Sequence, residues 1–205
     1  MIEVELKCQL SPALLQKLHS KLEHMRFDGE VHNIDIYYDT QDYALLQQAA
    51  FVRVRNSTKV EFKFNESIEK IHGQSTERTF PLHPDTDQAK KMNALFAHFL
   101  PTWQAQATVE AAISKNGLVE LARIDNKREE YSQDDIYISV DHVTQLGDFL
   151  EVEVRCDEKD DPEKAHTMLQ AFVSDLDVQH IGVGYVELWL REHNVEAYQL
   201  GRYHL

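Results

Sequence analysis

The sequence predicts an α+β fold in which one antiparallel sheet carries helices against its apolar side. Two observations carry this. Charged and apolar residues alternate along several short runs, such as Val52-Arg53-Val54-Arg55 and Glu151-Val152-Glu153-Val154-Arg155, giving strands with one charged and one apolar face. These runs also follow one another through short connections instead of alternating with helices, an order that favours antiparallel pairing over βαβ units. With 205 residues, no composition shift and no linker, the chain 1–205 reads as one domain.

The first strand is Ile2-Glu3-Val4-Glu5-Leu6-Lys7, with Ile2, Val4 and Leu6 on one face and Glu3, Glu5 and Lys7 on the other. Ser11-Pro12 then supplies an N-cap and a first-turn proline, and Leu14, Leu15, Leu18, Leu22 and Met25 recur at helical spacing, predicting a helix over 11–26. Strands are expected at 31–39, 50–56, 59–65 and 74–82, with Asn56-Ser57-Thr58 as a hairpin turn. Pro84-Asp85 opens a helix over 85–99 with Met92, Leu95, Phe96 and Phe99 on its apolar side, and Pro101 ends it. Further strands are expected at 105–113, 119–126, 127–132, 135–142 and 149–156. Asp161-Pro162 starts a helix to about 176. After Gly182-Val183-Gly184 a last helix is predicted over 185–193, with Leu188, Trp189 and Val195 packing inward.

Composition excludes several classes. A chain that is 42% hydrophobic and 27% charged, with seven Gly and five Pro, is globular and not low-complexity. A net charge of −14 argues against nucleic-acid binding, where a basic footprint is expected. An anionic substrate remains compatible, because a local basic cluster or a metal reverses the sign at a site. Cys8 and Cys156 form no disulfide framework, and Cys8 falls on an apolar strand face as a buried free thiol. No basic-then-apolar leader and no long apolar run is visible, so a soluble, cytoplasmic protein is expected. The eleven histidines lack short ligand spacings and read as surface or structural.

The charged strand faces are the informative feature. Arg53 and Arg55 alternate with Val52 and Val54, and Glu61 and Lys63 alternate with Val60, Phe62 and Phe64. Asp141 shares a face with Tyr137 and Ser139, while Glu151 and Glu153 face away from Val152 and Val154. These faces either meet bulk water in an open sheet or line the wet interior of a closed one. A closed interior requires both signs inside, and both are present: Glu3, Glu5, Asp141, Glu151 and Glu153 against Lys7, Arg53, Arg55, Lys63 and Arg128. The pattern alone leaves sheet and tunnel equally open.

Glu3-x-Glu5-x-Lys7 resembles the ExExK signature of the CYTH family, the triphosphate tunnel metalloenzymes, which include thiamine triphosphatases, inorganic triphosphatases and class IV adenylyl cyclases. The likeness continues in order along the chain. Asp35-Ile36-Tyr37-Tyr38-Asp39-Thr40 is similar to the family's YYDT stretch, Arg53-Val54-Arg55 to its RxR strand and Glu61-Phe62-Lys63 to the following lysine strand. Asn126-Lys127-Arg128 sits where a basic strand begins, and Ser139-Val140-Asp141 and Glu151-Val152-Glu153 resemble the late acidic strands. Tyr185-Val186-Glu187-Leu188 is similar to the YxEL start of the last helix.

The resemblance implies a closed, eight-stranded antiparallel barrel with a charged lumen that binds a triphosphate with Mg²⁺ or Mn²⁺. Carried over, Glu3, Glu5, Asp141, Glu151 and Glu153 are the metal-side carboxylates, and Lys7, Arg53, Arg55, Lys63 and Arg128 hold phosphate oxygens. Tyr37 and Lys63 are placed near the reacting phosphoryl group as a proton-transfer pair, against the alternative that Tyr37 is a core aromatic with its hydroxyl capped. Two departures stand out. Gly184 precedes Tyr185 where many members have a basic residue, leaving Lys59, Arg78 or Arg155 as substitutes. Phe80 stands where a mid-sheet carboxylate aligns, with Glu77 nearby. The expected partner is a small-molecule triphosphate, with no nucleic acid and no membrane, and a homodimer is left open. The leading activity is a metal-dependent triphosphatase. The alternatives are an adenylyl cyclase and a binding module without turnover.

Overall fold

The computed structural model describes residues 2–64, 76–156 and 162–203. Strands β1 (Ile2–Leu10), β2 (Arg26–Asp39), β3 (Ala50–Arg55), β4 (Lys59–Phe64), β5 (Thr76–Pro81), β6 (Val119–Gln133), β7 (Ile136–Val143), β8 (Gly147–Cys156) and β9 (Gln179–His180) form one antiparallel sheet. Their order across it is β5-β4-β3-β2-β6-β7-β8-β1-β9. Helices α1 (Pro12–Leu22), α2 (Thr86–Phe99), α3 (Val109–Lys115), α4 (Pro162–Val173), α5 (Tyr185–His193) and α6 (Val195–Leu200) complete the fold.

The expected closed eight-stranded barrel is corrected: the sheet is open and nine-stranded. Its terminal strands, β5 and β9, do not pair with each other, and β9 contributes only two residues, too few to carry a closing ladder. The sheet is nevertheless curled. Six strand steps separate β4 from β1, roughly 30 Å if the sheet were flat, yet Lys63 on β4 and Lys7 on β1 both act on Glu187 of α5.

Alternation sorts the side chains between the two faces. The convex face is apolar and carries two cores. Leu6, Cys8, Ile138, Leu150 and Val152 pack under Leu18 and Leu22 of α1 and Leu169 of α4. Val52, Val60, Phe62 and Phe80 pack under Met92 and Phe96 of α2 and Val109 and Ala112 of α3. The concave face has a third core, in which Tyr37, Ala122, Ile124, Val143 and Phe149 lie against Val186 and Leu190 of α5 and Ala197 of α6. α5 thus covers part of the surface that strand closure would otherwise enclose. The rest of that face is charged.

Local signals explain most elements. Ser11 caps α1 through the Leu14 N–H, and Asp85 and Gln88 form a reciprocal capping box on α2. Three expectations are revised. Residues 105–113, expected as a strand, lead into α3, because the Thr108 hydroxyl accepts the Ala111 N–H and starts a helical turn. The strands expected at 119–126 and 127–132 are one continuous strand, paired with β2 along its length and with β7 over its second half. Val195 is 58% exposed and does not pack inward, since Asn194 caps a new helix there. β2 also begins earlier than predicted. Its exposed first half lacks apolar alternation, but it pairs with the end of β6 across a bulge at Phe27/Gly29, where Gly29 supplies a φ of 141°.

Asp39 ends β2 and is almost fully buried. Its Oδ1 accepts the Thr40 and Leu45 N–H groups at 2.7 and 2.9 Å, and Oδ2 accepts that of Leu46 at 2.9 Å. It thereby fixes the loop that leads back into β3. Asp39→Ala leaves three donors without their acceptor and is expected to lower the unfolding free energy by about 3 kcal/mol. Urea unfolding measures this, and Asp39→Asn, with one acceptor oxygen left, should recover only part of the loss.

Candidate functional site on the concave face

Register places the charged residues side by side. Lys7 lies opposite Glu151, Glu5 opposite Glu153, and Glu3 opposite Arg155 across β1 and β8. Asp35 faces Arg55 and Tyr37 faces Arg53 across β2 and β3, while Arg53 faces Glu61 across β3 and β4. Arg128 faces Asp141 across β6 and β7.

Two ion-pair networks result. In the first, the Arg128 guanidinium donates to both Asp141 oxygens at 2.6 Å, a bidentate pair, and also to Glu151. Glu151 accepts from Lys7 at 2.9 Å, and Lys7 lies 3.4 Å from Glu5. Asp141 is 0% exposed and also accepts from Asn126 Nδ2 at 2.7 Å and from the Tyr185 hydroxyl at 2.6 Å. The Lys7 ammonium sits over the Tyr185 ring, 4.5 Å from its centroid. In the second network, Arg55 donates twice to Asp35 at 2.7 Å. Arg53 reaches Asp35 at 3.1 Å and Glu61 at 2.8 Å, and Lys59 reaches Glu61 at 2.7 Å.

The titration behaviour follows from these neighbours. Burial disfavours a charged Glu151, but Lys7 and Arg128 outweigh it and hold the carboxyl well below the usual range. Burial likewise opposes the Lys7 charge, and Glu151 and Glu5 more than compensate, raising its pKa. Burial pushes the phenols of Tyr37 and Tyr185 up, so both remain neutral; Tyr185 donates to Asp141 and Tyr37 accepts from Arg53.

Most sequence-assigned residues come together here. Lys7, Glu5, Arg128, Asp141 and Glu151 share the first network; Arg53 and Arg55 belong to the second. Glu153 and Glu3 occupy register positions next to Glu5 and Arg155 on the same pair of strands. Tyr37 and Lys63 do not meet as a pair. The Arg53 guanidinium donates to the buried Tyr37 hydroxyl at 3.1 Å, while Lys63 is 50% exposed and lies 3.5 Å from Glu77.

The family departures also find their places. Phe80 points into the convex core, edge-on to Phe62, so it offers no position for a carboxylate. Glu61, on the concave face of β4, pairs with Arg53 and Lys59. Of the substitutes for the absent basic residue, Lys59 joins the concave face through Glu61, Arg78 bonds the Glu77 carbonyl, and the Arg155 side chain lies outside the described part. A Cβ at Gly184 would come 2.7 Å from Glu187 Oε2, so a side chain there would displace that carboxylate. Burial raises the pKa of the Glu187 carboxyl, and the nearby backbone N–H groups of Glu187 and Gly184 oppose that rise.

Asp35, Glu61, Asn126 and Tyr185 are site residues that the sequence reading did not assign. For Asp35 and Glu61 a signal existed, since each shares strand parity with an assigned residue. Asn126 shares parity with Arg128 as well, but the strand break expected between 126 and 127 separated the two. Clefts of about 440 and 500 Å³ beside α1 share none of these residues.

The fold is thus a curled antiparallel sheet with a charged concave face, α1 to α4 on its convex side and α5 and α6 against its concave side. The chain belongs to the CYTH domain family, whose model matches residues 1–181. No curated protein matches the sequence. Among solved structures it is similar to the PH1819 protein of Pyrococcus horikoshii OT3, with 23% identity over 92% of this chain and 98% of that one, TM-score 0.65. It is also similar to HpAC1 from Hippeastrum, with 18% identity over 92% of this chain and 93% of that one, TM-score 0.58. A Vibrio parahaemolyticus protein whose name proposes an adenylate cyclase matches with 16% identity over 92% and 98% of the two chains, TM-score 0.58. At these identities the likeness is one of fold.

The family implies a divalent metal, and the donor chemistry fits one. Glu5, Asp141, Glu151 and Glu153 are hard oxygen donors on neighbouring strands, and the direct opposition of Glu5 and Glu153 is a like-charge pair that favours a cation. Among the described residues no three His, Cys, Asp or Glu side chains converge as a ready-made cation site. Asp141 and Glu151 are instead turned onto Arg128 and Lys7.

The depressed Glu151 pKa has a stability consequence. Its stabilising contribution is complete above the unfolded value, near pH 4.3, and is lost as pH falls from there through the lower native value. Glu151→Gln strands Lys7 and Arg128 without that carboxylate and is expected to cost about 3 kcal/mol at pH 7. Thermal melts from pH 7 down to pH 2 should show a steeper loss in the wild type than in this variant.

Proposed function

We propose that the protein is a divalent-metal-dependent enzyme that binds a triphosphate on the concave face and hydrolyses it, releasing phosphate. The observation that carries this reading is that Lys7, Arg53, Arg55 and Arg128, from β1, β3 and β6, all project onto one face and are held there by carboxylates. A triphosphate offers those cations the same oxygen chemistry the carboxylates do. Arg55 and Arg128, already bidentate to Asp35 and Asp141, are suited to exchange onto phosphate oxygens. The exchange frees Asp141 and Glu151 to join Glu5, Glu153 and Glu3 around Mg²⁺ or Mn²⁺. When bound, the cation supplies neutralisation of phosphate charge and a water of lowered pKa. Lys63, half-exposed at the rim, is assigned to the terminal phosphate.

The substrate is inorganic triphosphate, thiamine triphosphate or a nucleoside triphosphate. The fold-level likeness to HpAC1, for which a dominant triphosphatase activity is described, supports hydrolysis. The net charge of −14 supports a small-molecule partner over nucleic acid.

Incubation with each triphosphate plus Mg²⁺ or Mn²⁺, with all products resolved, tests the reading. Release of orthophosphate is expected, abolished in Glu5→Gln and reduced about 100-fold in kcat/KM in Arg55→Met. Cyclic AMP with pyrophosphate from ATP would instead identify a cyclase. The absence of any product sensitive to these substitutions would leave a binding module.

A further inference from the structure

One buried polar atom on the concave face has no use in the ion-pair networks. Asn126 is 5% exposed, and its Nδ2 donates to Asp141 Oδ1 at 2.7 Å. Its Oδ1 is shielded from solvent and has no hydrogen-bond partner. Turning the amide over does not help, because it would set Oδ1 against the Asp141 carboxylate and leave Nδ2 unpaired. An acceptor left in this state costs on the order of 1–3 kcal/mol, so its persistence calls for a partner that arrives with the ligand. Asn33, also buried, lies directly opposite Asn126 on β2.

The chemistry of that partner is constrained. Phosphate oxygens of an ionised triphosphate are acceptors and cannot satisfy another acceptor. A hydrated divalent cation can, because its coordinated waters donate, and hard cations also accept carboxamide oxygens directly. We propose that Asn126 is a positioning residue for the divalent cation, with Oδ1 taking a hydrogen bond from its hydration shell while Nδ2 orients Asp141. The proposal rests on the metal-dependent reading above and assigns a residue to it.

Mn²⁺ uptake, followed by the free-ion electron paramagnetic resonance signal with no triphosphate present, tests this independently of turnover. Asn126→Leu keeps bulk and removes the acceptor; at least tenfold weaker Mn²⁺ binding is expected. Asn126→Asp keeps an acceptor and loses the donor to Asp141; binding equal to the wild type or tighter is expected. Unchanged affinity in Asn126→Leu overturns the proposal. Should that variant not fold by circular dichroism, a tenfold loss in Asn126→Asp overturns it instead, because the residue would then act only through its bond to Asp141. A wild type that takes up no Mn²⁺ at millimolar concentration overturns both this assignment and the metal-dependent reading. A wild type that binds while Asn126→Leu binds equally well removes the assignment alone.

Discussion

The structure depends on one electrostatic constraint: charges of both signs lie on the inner face of a curled sheet, partly shut off from water, and each must find a counter-charge there. Isolated, a buried carboxylate or guanidinium would be expensive; paired and hydrogen-bonded, it is tolerated. The register meets this demand by alternating sign between neighbouring strands. Lys7 faces Glu151, Arg128 faces Asp141, Arg55 faces Asp35 and Arg53 faces Glu61. Each pair joins strands that are already adjacent, so the pairs also lock the order of the sheet. The apolar face, turned outward, is left free to hold α1 to α4.

The curl without closure has the same origin. β9 is too short to close the ladder, and α5 reaches over the concave face in its stead. Its first turn is bound to the charged network through Tyr185, which donates to Asp141 and carries Lys7 on its ring. Gly184 precedes that turn, and the buried Glu187 carboxylate lies close to where a Cβ at Gly184 would stand.

Much of this was legible in the sequence because strand alternation is a rigid rule. Once Val52 and Val54 are assigned to a core, Arg53 and Arg55 have only one other face to occupy, and the same logic fixes Glu5, Lys7, Glu151 and Glu153. What alternation does not encode is which strands neighbour one another and how far the sheet bends. Closure was expected from resemblance, and the length of the last strand set the outcome. Residues 105–113 misled because a capped helix of seven residues has too few turns to display a 3.6-residue period. Asn126, two residues from Arg128, was passed over for a different reason: a neutral carboxamide carries no charge pattern, and its unpaired oxygen emerges only when every neighbour is known.

The pairing also bears on what kind of anion the face can take, on the functional reading proposed above. A single phosphate that drew Arg128 away would leave Asp141, fully buried, without its bidentate partner, and the gain at one group would be offset by the loss at the other. A longer phosphate chain engages cations of both networks at once, from Lys7 and Arg128 to Arg53 and Arg55. A divalent cation arriving with it compensates the carboxylates that are released. Anion and cation together replace the internal pairs, whereas an anion alone leaves the released carboxylates unmatched. The same internal salt bridges that hold the sheet in order therefore set a threshold, and a metal-bound triphosphate has the charge distribution to cross it.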